Sequence, residues 1–169
     1  MPTPTVTVMG LGIVDIDGVL ADVRHRLVHV QRRPKDWDAF FAAAPDDTPL
    51  PEGLARAHEL ADRAELVYLT GRPERCRQDT EAWLAKHGFP YARVLMRPDT
   101  DRRPARRFKL DLVRQLSSDA EIDVVVDDDA LVVDTLRTAG FAVEHAQWMP
   151  ESAPQQSSLF DAQEREGRT

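Results

Sequence analysis

Cysteine is almost absent from this chain. Cys76 stands alone, so no internal disulfide can form and no Cys₄ or Cys₂His₂ zinc site can be built. Long apolar runs are missing as well. No stretch approaches the ~18 consecutive apolar residues that cross a bilayer, and no membrane association is expected. The N-terminus lacks a basic segment followed by an apolar one, so no secretory signal is expected and the expected location is cytoplasmic. The phosphate-cradling pattern Gly-x-x-x-x-Gly-Lys-Ser/Thr is also missing, which excludes a kinase loop of that type. Lysine is scarce: Lys35, Lys86 and Lys109 stand against 19 arginines. A GC-rich genome would give the same bias, so the arginine preference says little by itself.

What is present is enough apolar content, 42% of 169 residues, for one folded domain. Residues 1–149 carry strand and helix patterns. Residues 150–169 are polar, rich in Glu, Gln and Ser, and are expected to form a disordered tail. Apolar runs predict strands over Val6–Ile16, Glu65–Leu69, Tyr91–Met96, Glu121–Val126 and Phe141–His145. Helices are expected over Lys35–Ala44, Pro51–Ala61, Pro73–His87, Arg106–Leu116 and Ala130–Ala139. Gly88 and Gly140 close two of these helices. Strands alternating with helices predict an α/β, Rossmann-like parallel sheet with helices on both faces.

The acidic residues are placed unusually. Ile13-Val14 leads into Asp15-Ile16-Asp17-Gly18, and Val124-Val125-Val126 leads into Asp127-Asp128-Asp129. In an open α/β sheet ligands bind at the carboxyl ends of the strands. Carboxylates converging there repel one another unless a cation or a proton is shared. If the two strands are neighbours, the oxygen-rich cluster suits Mg²⁺. Asp129 reads as a helix N-cap. Net charge is −7, yet two basic clusters stand out: Arg24, Arg26, Arg32, Arg33 and Lys35, then Arg97, Arg102, Arg103, Arg106 and Arg107. Such clusters either bind phosphates or are solvated loop charge.

Four pieces occur in order: Asp15-x-Asp17-Gly18, Leu69-Thr70-Gly71-Arg72, Lys109 and Asp127-Asp128. Together they resemble the haloacid dehalogenase superfamily of phosphohydrolases over roughly residues 8–146. The resemblance implies that fold with a minimal cap or none. It also implies Asp15 as nucleophile forming an aspartyl-phosphate, and Asp17 as general acid and base. Thr70 and the Gly71 amide would bind phosphoryl oxygens, and Lys109 would face the phosphoryl group. Mg²⁺ would be held by Asp15, by the Asp17 carbonyl and by Asp127, with Asp128 as the other candidate ligand.

A closer resemblance adds Arg33-Pro-Lys-Asp-Trp37, Thr80-Glu-Ala-Trp83-Leu84, Met96-Arg97-Pro98 and Arg102-Arg103-Pro104. These look like the phosphatase domain of polynucleotide kinase–phosphatases, which removes 3′-phosphates from nucleic acid ends. That resemblance implies substrate-binding arginines at Arg72 and Arg26, and at Arg97 or Arg102, with a phosphorylated nucleic acid end as partner. The alternatives are a 5′(3′)-nucleotidase or other small-molecule phosphatase, and a catalytically inactive DNA-processing accessory protein. Trp37 and Trp83 sit at helical spacing and are core candidates; the alternative is base stacking. In the tail, Gln156-x-x-Leu159-Phe160 resembles the peptide that docks bacterial DNA-processing proteins on the sliding clamp. The alternative is that Leu159 and Phe160 pack back on this domain.

Overall fold

The structure, a computed structural model, describes residues 9–150 and 153–168, with the side chains of 153–158 left out of the description. The start of the expected first strand, residues 6–8, lies outside the described residues.

The chain begins with β1 (Leu11–Val14), then β2 (Ala21–Asp22), α1 (Val28–Gln31), α2 (Trp37–Ala42), β3 (Thr48–Pro49) and α3 (Pro51–Ala61). It continues through β4 (Glu65–Pro73), α4 (Arg77–Lys86), β5 (Arg93–Arg97), α5 (Ala105–Ser117), β6 (Ile122–Asp127), α6 (Ala130–Thr138), β7 (Val143–His145) and α7 (Ala153–Glu166). The main sheet has the order β5-β4-β1-β6-β7 and all its pairings are parallel. The expected parallel α/β sheet is therefore observed. β1 is buried at all four positions, as a central parallel strand covered on both faces must be. The chain passes from β1 to β4 on one side and later to β6 on the other, so the order reverses at β1. In such sheets that reversal opens the ligand crevice.

Register sets the chemistry. Val14 pairs with Tyr68 on one side and with Val126 on the other. One residue further along, Asp15, just past β1, stands abreast of Asp127, the last residue of β6. The amide of Asp15 still donates to the Val126 carbonyl at 3.0 Å. Gly18 turns the chain out of the strand with φ of 78°. A Cβ there would stand 1.9 Å from Oδ2 of Asp128, so glycine is required on two grounds.

Between β1 and α3 lies an insert of short pieces in place of a large cap. β2 and β3 form a two-stranded antiparallel ribbon, and a 3-10 turn covers Arg24–Arg26. The insert shares the main core through Leu27, Val30, Trp37, Phe40 and Phe41. The helix expected over Lys35–Ala44 is Trp37–Ala42, capped by the Asp36 side chain on the Ala39 amide. β4 runs on to Pro73, past the expected end at Leu69, and a 3-10 turn (Glu74–Cys76) precedes α4.

Within the polar tail, residues 153–166 form α7. Its Leu159 and Ala162 belong to the main core cluster, and that packing supplies what the polar composition lacks. Trp83 is buried, stacked on Phe89 at 5.2 Å between centroids, and Trp37 is buried against Phe40 and Phe41. Both are core residues rather than base-stacking platforms. Among the described residues no helix is long and apolar enough to cross a membrane.

Candidate active site

Three strand ends and one helix build the site. Asp15 follows β1, Thr70-Gly71-Arg72 lies near the end of β4, Asp127 ends β6, and Lys109 sits in the second turn of α5. Lys109 is buried, with its Nζ 2.9 Å from Oδ2 of Asp15 and 2.6 Å from Oδ2 of Asp127. Burial works against its charge, but Asp127 and Asp15 outweigh it and raise the pKa, so the ammonium is held charged. Carboxylate oxygens of Asp15, Asp127 and Asp128 all lie within 4.8 Å of one another. Burial pushes the Asp15 carboxyl up to about 7, with Lys109 opposing and Asp127 adding to the rise. Burial, then Asp15 and Asp127, lift Asp128 well above the usual carboxylate range. Three acids at one strand edge with a single buried ammonium among them leave an excess of negative charge.

Asp17 faces a different neighbourhood. Its Oδ1 accepts from Nη2 of Arg26 at 2.7 Å and from Nε and Nη2 of Arg72 at 3.0 and 2.6 Å. Both arginines are fully buried, at 0% and 1% exposed. Burial alone would raise Asp17, but Arg26 and Arg72 outweigh it and hold the carboxyl at about 2. A second carboxylate completes the balance. Asp47, buried just before β3, accepts from Nε and Nη2 of Arg26 at 2.9 Å each and from Nη2 of Arg72 at 3.0 Å. Nε2 of His25 lies 2.7 Å from Oδ1 of Asp47. Two buried arginines and two buried aspartates thus form one network. Even so, Nη1 of Arg26 is buried without a hydrogen-bond acceptor among the described residues. A buried cationic donor left in that state calls for an anion or water.

Asp47 and His25 carry no motif that sequence patterning could detect. The signal available was charge balance: two arginines entering a core around one Asp-x-Asp pair need a further acid.

Thr70 is buried, and its Oγ1 accepts from the Arg72 amide at 3.1 Å, leaving the hydroxyl proton to donate elsewhere. Nη1 of Arg72 reaches Oγ1 of Thr80 on α4 at 3.2 Å. Asp129 caps α6 as expected, accepting from the Leu131 amide at 2.9 Å. Burial and then Asp127 push its carboxyl up to about 6, and Glu164 of α7 is near enough to add to that.

The two arginines expected as alternatives occupy different places. Arg97 is buried at the end of β5, with its guanidinium 4.6 Å from the Phe108 ring centroid and Nη1 donating to the Arg103 carbonyl at 2.9 Å. Burial lowers its pKa to about 10. Arg102 is exposed, and its Nη1 donates to the carbonyls of Asp99 and Asp101 in its own loop.

Much of the basic surface is neutralised from within. Arg24 pairs with Asp22, and Arg103 pairs with Asp101 and Asp111. Lys35 and Arg106 pair with Glu166 and Glu164 of α7. In the clamp-like segment Leu159 is 4% exposed and Phe160 half-buried; the Gln156 side chain lies outside the described residues.

The family described as the polynucleotide kinase PNKP phosphatase domain matches residues 10–147. Against curated proteins the sequence finds no significant match. Among solved structures the chain superposes on one from the Pnkp1/Rnl/Hen1 RNA repair complex. The TM-score is 0.68 at 21% identity, over 89% of this chain and 48% of that one. This chain therefore spans about half the length of that relative. A haloacid dehalogenase-like hydrolase of Streptococcus pneumoniae superposes with a TM-score of 0.59 at 15% identity, over 90% of this chain and 92% of the other. For a β-phosphoglucomutase-like protein of Thermotoga maritima the values are 0.55 and 16%, over 92% of both chains. At these identities the likeness concerns the fold.

Proposed function

The chain belongs to the family of polynucleotide kinase PNKP phosphatase domains, and from that premise we propose that it is a Mg²⁺-dependent phosphomonoesterase removing terminal 3′-phosphates from nucleic acid. The observation that supports this reading is the register that sets Asp15 beside Asp127 and Lys109, with Asp17 one step away under two arginines.

The donor set fits Mg²⁺. It is all oxygen, and burial together with the neighbouring carboxylates, which lift Asp15 and Asp128, is what a divalent cation offsets. Asp15, Asp127 and Asp128, with the carbonyl of Asp17, would hold it. When bound, Mg²⁺ would neutralise charge shared between an anionic nucleophile and phosphoryl oxygens.

The chain's own groups do the rest. Thr70 Oγ1 and the Gly71 amide donate to phosphoryl oxygens, and the Lys109 ammonium offsets their charge. An Asp15 oxygen attacks phosphorus as the bond to the leaving 3′-oxygen breaks. Asp17 gives its proton to that oxygen. It then takes a proton from the water that cleaves the aspartyl-phosphate, releasing inorganic phosphate and restoring Asp15. Arg26 and Arg72 keep Asp17 ionised, which suits the second step. For the first, Asp17 takes up its proton with the substrate, whose negative charge opposes the arginines. Phosphate monoesters hydrolyse so slowly alone that positioning and charge must supply on the order of 20 kcal/mol.

A second reading, a nucleotidase or other small-molecule phosphatase, is favoured by one feature: Asp15 and Asp17 are only 6% and 8% exposed. Phosphate release from a 3′-phosphorylated oligonucleotide, set against the matched 3′- and 5′-mononucleotides, separates the two. A higher kcat/KM for the oligonucleotide supports end processing, and a higher value for a mononucleotide refutes it. An inactive accessory role would require the retained Asp15, Asp17, Lys109 and Asp127 to be idle. Docking on a bacterial sliding clamp through Gln156, Leu159 and Phe160 is a further partner proposal. Since Leu159 is packed in the core, it requires α7 to leave its seat. Clamp binding unchanged after Leu159→Ala and Phe160→Ala would refute it.

A further inference from the structure

α7 bridges the two basic segments that flank the site. From the insert, Lys35 Nζ pairs with Oε1 of Glu166, and Trp37 Nε1 donates to Oε2 of the same carboxylate at 3.0 Å. From α5, Arg106 Nε donates to Oε2 of Glu164 at 2.8 Å. Arg106 precedes Lys109 by three residues, so the two share a face of α5 one turn apart. The helix therefore neutralises a cation beside the residue that contacts Asp15, and another across the insert. Beyond its end the chain lies against the loop before α5: a Cβ on Gly167 would meet the Arg102 carbonyl at 2.2 Å. The seat is imperfect. Oε1 of Glu164 and Oε1 of Gln163 are buried without a hydrogen-bond donor among the described residues, which makes the docked helix costly to hold. Only Leu159 and Ala162 of its described side chains enter the main apolar core.

We infer that Lys35 and Arg106 are phosphate contacts for a nucleic acid strand leading to the site, and that Glu164 and Glu166 occupy them as a displaceable intramolecular competitor. The carboxylates stand where the strand's phosphates would, so a polynucleotide must displace α7, whereas a small phosphate ester makes no use of these cations. The inference rests on the proposed polynucleotide substrate. Glu164 and Glu166 are the carboxylates of α7 that pair with these two cations, so removing their charge gives a defined change in electrostatic binding.

The test uses the full chain carrying Asp15→Asn, which binds without turnover. Equilibrium binding of a 3′-phosphorylated single-stranded oligonucleotide is measured at several salt concentrations, with and without Glu164→Gln and Glu166→Gln together. The double substitution is expected to tighten binding about tenfold at low salt. It should also steepen the dependence of log K on log salt by about 1.4, the value for two phosphates on a single strand. Unchanged or weaker binding overturns the inference. Adding Lys35→Ala and Arg106→Ala should erase the gain, and a gain that survives them overturns it as well. In the chain that retains Asp15, Glu164→Gln with Glu166→Gln should leave turnover of a small aryl phosphate unchanged. A rise equal to that on the oligonucleotide would mean a steric lid instead. The comparison reads binding alone, so a failed 3′-phosphatase assay would refute the proposed function and not this competition.

Discussion

Two carboxylates with opposite environments sit two residues apart. Asp15 is lifted to about 7 by burial, and Asp129 to about 6, while Arg26 and Arg72 hold Asp17 at about 2. Their effects on stability have opposite signs. Asp15 and Asp129 bind protons more tightly folded than at their ordinary value of 3.8, so stability falls as pH rises through the window from ~4 to ~7. Asp17 contributes stability that is present above ~4 and lost as pH falls through ~2. In a chelator the thermal midpoint should therefore be higher at pH 5 than at pH 7.5. Added Mg²⁺ should narrow that gap by stabilising the ionised cluster at the higher pH. A midpoint that rises from pH 5 to 7.5 in chelator would contradict this assignment of charges. Asp47 makes a second prediction. Asp47→Ala leaves Arg26 and Arg72 buried over Asp17 alone, and is expected to cost about 3–5 kcal/mol in urea unfolding. A loss below about 1 kcal/mol would show that water replaces the carboxylate.

Single elements explain what the sequence disclosed and what it hid. β1 and β6 were legible because central parallel strands are apolar throughout and then end abruptly in acid. Gly18 was legible as an exit turn, though not the contact that forbids a side chain there. Gly18→Ala demands a positive φ of a non-glycine residue and drives a methyl into Asp128. It is expected to cost about 2 kcal/mol or more and to weaken Mg²⁺ binding, as read by a metal-dependent thermal shift. An unchanged shift would separate Asp128 from the metal. The ribbon of β2 and β3, with the short α1 between, was hidden because pieces of two to four residues have no period to detect, whereas α2 falls within the helix expected over Lys35–Ala44. Packing of Leu27, Phe40 and Phe41 holds them, together with the guanidinium of Arg26 at 4.3 Å from the Phe40 ring centroid. α7 was hidden for a related reason. Its apolar residues are few, and its glutamates find partners some 58 to 131 residues away. Leu159→Ala should lower stability by about 2 kcal/mol, since the side chain is buried in the shared core. No loss would show that α7 is not anchored there.

Across the whole molecule, charge is managed by internal pairing. A chain of net charge −7 meets a polyanionic substrate poorly unless its cations face outward. Here Arg26 and Arg72 are buried on Asp17 and Asp47, while Lys35 and Arg106 are occupied by α7. The fold thus matches its buried cations with acids, Lys109 with Asp15 and Asp127 included, and α7 offsets two of the cations nearer the surface. Long-range steering should be weak, and recognition should depend on the phosphate itself. The most direct measurement is release of phosphate from one 3′-phosphorylated oligonucleotide by the wild-type chain and by Asp15→Asn, each with Mg²⁺ and with chelator. The arrangement of Asp15, Asp17, Lys109 and Asp127 predicts release only by the wild type with Mg²⁺, and a loss of at least about 10³-fold in Asp15→Asn. Phosphate released at comparable rates by Asp15→Asn, or by the wild type in chelator, would contradict it.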